Sequence, residues 1–462
     1  MLARAGVLAL VLVIARASGV SAQVGVPFTP TGSGARAAGM ANAFIAISDD
    51  GTAASWNPAG LAQLRKPELS LVSTTVGDTS VAGGFRARDE LSSFLTARSS
   101  YRSTYLDFAS LAVPVTLWGK PVTFQGSWRR LYSLDYREIV AVTREPLVAD
   151  GPPSVRFDAN SDILGSVDVV SAAFAVRLTP RLALGAGFNL WLGDWSEDHV
   201  LSETPLDPPG IPTFESVGQT NRVRGESFSL GLMLTYPRFG VGLLYDGALD
   251  SDLSASASQT SSDTPGTASA SADGTLQFPR AVGVGGAWRP AARWTVALDL
   301  TWNDWTEAIV EIQPVGRVSL FDGLPPDRTS TRDTLSINAG AERLFTGDGF
   351  VVPLRFGVAW EPQGARDPYT RDPVSFVMLA AGTGYNTNSL KFDAAFQYRW
   401  ASFKTGADFG PGEESPFPGE ESPLLPSAVG ERSTRQWRLK LSLILRVTDT
   451  DKLKRGARKV FG

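Results

Sequence analysis

From Leu390 to Trp400 the chain alternates without a slip. Leu390, Phe392, Ala394, Phe396, Tyr398 and Trp400 share one parity, and Lys391, Asp393, Ala395, Gln397 and Arg399 share the other. Successive side chains of a strand point to opposite faces, whereas a helix repeats its apolar residues every three or four, so only a strand fits this stretch. The pattern returns near the end, where Trp437, Leu439, Leu441, Leu443, Leu445 and Val447 oppose Arg438, Lys440, Ser442, Ile444 and Arg446. It returns again from Trp294, where Trp294, Val296, Leu298, Leu300 and Trp302 oppose Thr295, Ala297, Asp299 and Thr301. A soluble sandwich also alternates, but here the apolar parity ends on aromatics (Trp294, Trp302, Tyr398, Trp400, Trp437), as girdles at a lipid boundary do. The opposite parity is charged or small, which suits a hydrated lumen.

Fourteen such segments can be laid out, at about 67–77, 104–116, 121–143, 163–178, 182–194, 223–236, 239–250, 274–288, 293–303, 333–345, 350–362, 373–385, 389–402 and 434–447. The links alternate in length. Thr179-Pro180-Arg181, Pro237-Arg238 and Asn386-Thr387-Asn388 are tight, and most of the links between them are long. Short turns on one side and long loops on the other describe an outer-membrane barrel, and an even strand count puts both ends of the barrel on the periplasmic side. Closure is required, because hydrocarbon offers no partner to an open sheet edge. The fold expected is all-β: a fourteen-stranded antiparallel transmembrane β-barrel.

Composition agrees. Residues 1–22 read as an export signal, with Arg4 ahead of a short apolar core (Val7 to Ile14) and Val20-Ser21-Ala22 as a cleavage site. That core is too short to span a bilayer, and no later apolar run nears 18 residues. Removing the leader takes the net charge from -4 to -6, which argues against a nucleic-acid partner. There is no cysteine, so neither disulfides nor thiolate chemistry are available. The long links read as solvated loops. Ser251 to Gly274 is rich in Ser, Ala and Thr, and 408–430 is acidic with a repeated Pro-Gly-Glu-Glu-Ser. For the latter, solvation is a plainer reading than a divalent-cation site. The tail 448–462 is polar and basic and is placed in the periplasm.

Between leader and first strand, 23–66 forms a compact segment. Asp49-Asp50-Gly51 is a turn signal, Asn57 a good helix N-cap and Pro58 a good first helical residue. Small residues (Gly34, Ala35, Ala37, Ala38, Gly39, Ala41, Ala43) permit close packing, and the lumen is the available cavity. Gly34-Ala35-Arg36-Ala37-Ala38-Gly39-Met40, the Asp49-Asp50 pair and Trp56-Asn57-Pro58-Ala59-Gly60-Leu61 resemble the N-terminal region of the FadL/TodX family of outer-membrane transporters for hydrophobic compounds. Segments 276–307, 337–345 and 351–362 resemble it less specifically.

The resemblance implies a monomeric barrel in the bacterial outer membrane with a lumenal N-terminal plug carrying Asp49, Asp50, Trp56, Asn57, Pro58, Ala59 and Gly60. It implies passive uptake of hydrophobic molecules such as long-chain fatty acids. Ligand would be captured by outer loops, held in a lumenal pocket, and released by plug movement or sideways near the third strand, where Gly126 is a candidate bend. Partners would be outer-membrane lipid, the hydrophobic ligand and, during biogenesis, the barrel-assembly machinery. The same motifs also resemble PorV-type barrels, which implies a scaffold or shuttle for secreted proteins. The chain departs from many such barrels in continuing some fifteen residues past its last strand.

No enzyme, cofactor or metal site is expected. His199 is the only histidine, so two-histidine metal sites are impossible. A surface hydrolase would have to use His199 with Asp194, Glu197, Asp198 or Ser202, and a solvated loop histidine is the commoner case. Arg355, Lys391, Asp393, Arg399, Arg438, Lys440 and Arg446 are expected to face the lumen, either guiding an anionic head group or pairing with one another.

Overall fold

The structure, a computed structural model, describes residues 32–88, 91–117, 119–146, 154–262, 266–313, 315–366, 371–407 and 428–447. The export signal and the basic tail lie outside these residues, as do most of the acidic segment (408–427) and the start of the segment 23–66.

Fourteen antiparallel strands form one closed wall: β1 (Glu68–Arg88), β2 (Leu91–Leu117), β3 (Lys120–Ser133 and Tyr136–Pro146), β4 (Ser154–Arg177), β5 (Leu182–Asp207), β6 (Thr213–Thr235), β7 (Phe239–Asp246 and Leu249–Ser261), β8 (Thr267–Phe278 and Ala281–Trp288), β9 (Trp294–Asn303), β10 (Thr334–Gly347), β11 (Phe350–Arg366), β12 (Pro373–Asn386), β13 (Leu390–Ala407) and β14 (Ala428–Arg446). Each pairs with its sequence neighbour, and β14 returns to β1 in a ladder running from Glu68↔Arg446 to Gly84↔Gly430. Both ends of the barrel therefore lie on one side, as the even count requires.

Faces follow parity. Outward Leu439, Leu441, Leu443 and Leu445 are exposed, while Arg432, Thr434, Gln436, Lys440 and Ser442 on the other parity are buried. Phe239, Trp288, Trp294, Phe345 and Tyr385 stand outward beside the tight turns, forming the periplasmic girdle. No described helix is long and apolar enough to cross a membrane.

The long links differ from expectation. Ser251 to Gly274, read as a loop, is instead a hairpin: Leu253↔Gly274 and Ala257↔Ala270 are paired, and Ala255 and Ala257 are buried inward. Residues 78–103 and 195–222 likewise continue their strands as hairpins. Above the bilayer a strand needs no apolar outer face, so small hydroxylated residues satisfy the ladder without showing the alternation that marked the lower halves.

Residues 32–66 lie inside the cylinder. A single α-helical turn, α1 (Ala35–Gly39), is followed by turns and by two short 3-10 helices, Ala53–Ser55 and Pro58–Gln63. The segment is tied to the wall all round. Asp299 on β9 accepts from the N–H groups of Phe44 and Ile45, Asn338 on β10 donates to Ala41, Gln397 on β13 to Ala38, Gln125 on β3 to Gly51 and Arg177 on β4 to Ala62. Wall glycines make room for it: a Cβ on Gly340 would stand 2.5 Å from the Met40 carbonyl oxygen, and one on Gly242 2.5 Å from that of Ile45.

Candidate functional site

Asn57 fixes the middle of the N-terminal segment. It is fully buried, caps the Pro58–Gln63 helix by accepting from the Ala59 N–H at 3.1 Å, and donates to the carbonyls of Ile45 (3.1 Å) and, on β6, Leu232 (3.2 Å). Trp56 donates to the Ser33 carbonyl at 2.7 Å and packs edge-on against Phe44. Asp50 closes the expected turn, accepting from the backbone and hydroxyl of Thr52 at 3.0 and 2.7 Å. Burial alone would push the Asp50 carboxyl up. The charges of Lys391 and Arg36, with the Thr52 bonds, outweigh it and hold the carboxyl below its ordinary value. Pro58, Ala59 and Gly60 are buried with their helix, and Arg36 bonds both Asp49 and Glu342.

Above this layer the lumen holds an apolar cluster. Tyr132 (β3), Trp191 (β5), Phe278 (β8) and, from the connection between β9 and β10, Trp305 and Phe321 form a chain of rings with centroids 5.3–5.8 Å apart, edged by Val223, Leu249 and Leu253. Both indole N–H groups are satisfied, Trp191 by Ser227 at 2.9 Å and Trp305 by Thr334 at 3.0 Å. An apolar solute entering here would exchange ring–ring contacts for ring–solute contacts without stranding a buried polar group. Sequence reading missed this cluster because the polar parity had been assigned to a wet lumen. The signal was there: Trp191, between outward Leu190 and Leu192, is an aromatic on the inward parity.

Beside the cluster the wall is broken. β2 pairs with β3 over Phe108–Leu117 and again over Leu91–Ser99, but residues 100–107 carry no partner toward β3. β3 stays on β4 throughout, with a register shift between Arg130 and Tyr132. Side chains alone span the break: Ser103 donates to Asp135 at 2.8 Å, the Arg130 guanidinium lies 5.4 Å from the centroid of Tyr105, and Tyr101 meets Tyr136 edge-on. Gly126 sits lower, in unbroken pairing with Leu111 and Ala172, so the ladder gives no bend at that residue.

The seven lumen-facing charges all point inward, but they do not converge. Arg355 is 1% exposed and bridges Glu342 and Asp393 at 2.7 Å each. Lys391 and Arg446 line, with Arg355, a cavity of about 440 Å³ at the periplasmic end, where Arg446 pairs with Glu68 at 2.8 Å. Higher up, Lys440 pairs with Asp107, Arg438 donates to Gln436, and Arg399 reaches Glu361 at 3.4 Å with Nε and Nη2 left without partners. Arg129, overlooked in the sequence, also faces in. It lies next to Tyr132, within electrostatic reach of Asp246 and Asp107, and makes no ion pair among the described residues.

His199 is not in a loop. It lies inward on β5, with Nδ1 2.9 Å from the Ser161 hydroxyl and Nε2 3.4 Å from Glu197. Of its expected companions only Glu197 meets it; Asp194 is outside with Arg222 and Arg224, and Ser202 donates to the Asp158 carbonyl. Ser161 and His199 are paired on both sides, so their N–H groups serve the ladders and none is free to hold an oxyanion.

Residues 154–409, more than half of the chain, match the model of the outer membrane protein transport protein family (OMPP1/FadL/TodX). The chain belongs to this family. Three solved structures share the OMPP1/FadL/TodX barrel at low identity. A Pseudomonas aeruginosa FadL homologue superposes with a TM-score of 0.64 at 15% identity, over 91% of this chain and 99% of that one. The P. putida toluene transporter TodX gives 0.59 at 14%, over 91% and 100%. The Ralstonia pickettii toluene transporter TbuX gives 0.56 at 15%, over 91% and 99%. No curated protein matches the sequence. Membership of the FadL/TodX family places this transport protein in the outer membrane.

Proposed function

We propose that the chain takes up hydrophobic molecules passively, long-chain fatty acids among them, along a path from the outer hairpins to the aromatic cluster and out sideways through the break between β2 and β3. In this reading the N-terminal segment is the plug: it closes the direct route to the periplasm and gates the cluster from below. The observation that carries the proposal is the adjacency of an apolar, hydrogen-bond-satisfied cluster to eight residues of β2 with no ladder partner on β3, since Tyr132 belongs to the cluster and to the broken strand alike. An apolar solute leaving there passes into the membrane without meeting bulk water, so its transfer out of water is never reversed. Arg129, next to Tyr132 and unpaired, suits the carboxylate of a fatty acid whose chain lies among the rings. Toluene transport by TodX and TbuX fits the same kind of path for neutral solutes.

The chain has no native cysteine, so a single engineered pair can test the exit. Ser103→Cys with Asp135→Cys replaces the hydrogen bond that crosses the break. Oxidised, the pair should abolish uptake of a labelled long-chain fatty acid by whole cells, and reduction should restore it. Equal uptake in the two states, with the cross-link verified by mass, would rule out the sideways route.

A further inference from the structure

We infer that the outer surface carries a docking site for a phosphorylated lipid headgroup of the outer leaflet, formed by Arg98 and Arg102 on β2 and Arg435 on β14, on either side of β1. All three point outward and are exposed, and none makes an ion pair among the described residues. Their height is fixed by register. The apolar belt on β14 runs from Leu445, opposite Leu69, to Leu439, opposite Thr75, and Trp437 follows opposite Gly77. Eight residues at ~3.4 Å each, tilted by about 40°, make roughly 20 Å of membrane, so Trp437 marks the outer boundary. Arg102 lies in the same row, opposite Gly77, with its guanidinium 5.5 Å from the Trp437 ring; Arg435 is one outward row higher, opposite Thr79, and Arg98 one higher again, opposite Val81.

Between the two arginine-bearing strands β1 presents only Gly77, Thr79 and Val81 on this face, leaving a low shelf flanked by cations. Trp400, opposite Arg435 on β13, continues the aromatic floor. Among the described residues the nearest outward carboxylate, Glu431, is higher still and opposite Lys404. Elsewhere at this level outward arginines are neutralised: Arg137 by Asp162, Arg156 by Asp158, and Arg222 and Arg224 by Asp194. Three unneutralised guanidinium groups directly above an aromatic girdle complement phosphates held at the level of lipid headgroups, and the guanidinium fork binds phosphate in two-pronged fashion. Lipid acyl chains would then lie along the leucine belt below.

The test uses full-length protein in detergent micelles, titrated with lipid A bearing both phosphates and read by native mass spectrometry. Each basic residue near an anionic surface is worth about five-fold in binding, so Arg98→Gln/Arg102→Gln/Arg435→Gln should weaken the complex on the order of 100-fold. Arg222→Gln/Arg224→Gln should leave it unchanged. Dephosphorylated lipid A should bind the unmodified protein no better than lipid A binds the triple variant. If the triple variant fails to fold, as judged by its heat-shifted gel mobility, Arg98→Gln/Arg435→Gln keeps the Arg102–Trp437 stack and should lose roughly 20-fold. Undiminished binding by the variants, or equal binding of dephosphorylated lipid A, would overturn the site. Displacement of the lipid by an equimolar amount of inorganic phosphate would reassign it to free phosphate.

Discussion

At the scale of single residues, Asn57 does the work of three contacts at once, joining its own helix, the turn at Ile45 and the wall at Leu232. Removing a buried side chain that caps a helix and satisfies two carbonyls costs about 2–3 kcal/mol. For Asn57→Ala we expect amide exchange over residues 45–64 to speed up by roughly 30- to 100-fold while the wall strands stay protected. Unchanged protection would mean that the neighbouring anchors suffice without it. Asp50 sets the pH dependence of the same segment. Its carboxyl is held below the ordinary 3.8 when docked, so its stabilisation is complete above that value and is lost only as pH falls through the lower one. The part of that protection owed to Asp50, read as the difference between the native chain and Asp50→Asn, should therefore be level between about pH 8 and pH 5, and a fall of that difference inside the window would contradict this account. Residues of this kind were legible in the sequence because turn and cap chemistry is local. Arg355 was legible only as a lumenal charge: its partners Glu342 and Asp393 come from neighbouring strands, and nothing in the local sequence couples them.

At the scale of elements, what could be read was set by solvent. A strand crossing lipid must show apolar residues on one parity, as the strands from Trp294, Leu390 and Trp437 do. A strand rising above lipid is released from that demand, which is why the β7–β8 hairpin passed for a loop although Leu253, Ala255 and Ala257 kept the inward parity. The aromatic cluster escaped for a related reason, since its rings come from four elements that meet only once the barrel has closed. The third strand shows how a local signal misleads. Glycine invites a bend, yet Gly126 is outward and paired on both sides, with open space where a Cβ would stand. The break from β2 instead opens after Arg129 and closes at Glu138, with the register shift between Arg130 and Tyr132 inside it. Gly126→Ala should accordingly shift stability by no more than about 0.5 kcal/mol and leave uptake intact. A folded Gly126→Ala protein that no longer transports would return the bend to that residue.

At the scale of the whole molecule, the wall and the N-terminal segment are separable in construction. The wall closes through its own ladders, with β1 paired on β2 and on β14, and no N-terminal residue takes part in them. Eight-stranded barrels fill their bore with side chains and barrels of sixteen or more hold open channels, so fourteen strands leave a bore that needs a filling to be closed. Residues 32–66 lie within this bore, and the wall groups that hold them, among them Asp299, Asn338 and Gln397, are polar and would rehydrate rather than remain stranded if the segment left. Deleting residues 23–66 with residues 1–22 kept should therefore give a barrel that still shows heat-shifted mobility. Its single-channel conductance in planar bilayers should be large and steady, against a small conductance for the full chain. Accumulation of fatty acid by cells carrying the deletion should lose its dependence on the Ser103–Asp135 cross-link, because solute then has a second way out. A folded deletion protein with the conductance of the full chain would show that the bore is closed by something else, and the apolar cluster with its Trp305 and Phe321 connection would be the next part of the molecule to remove.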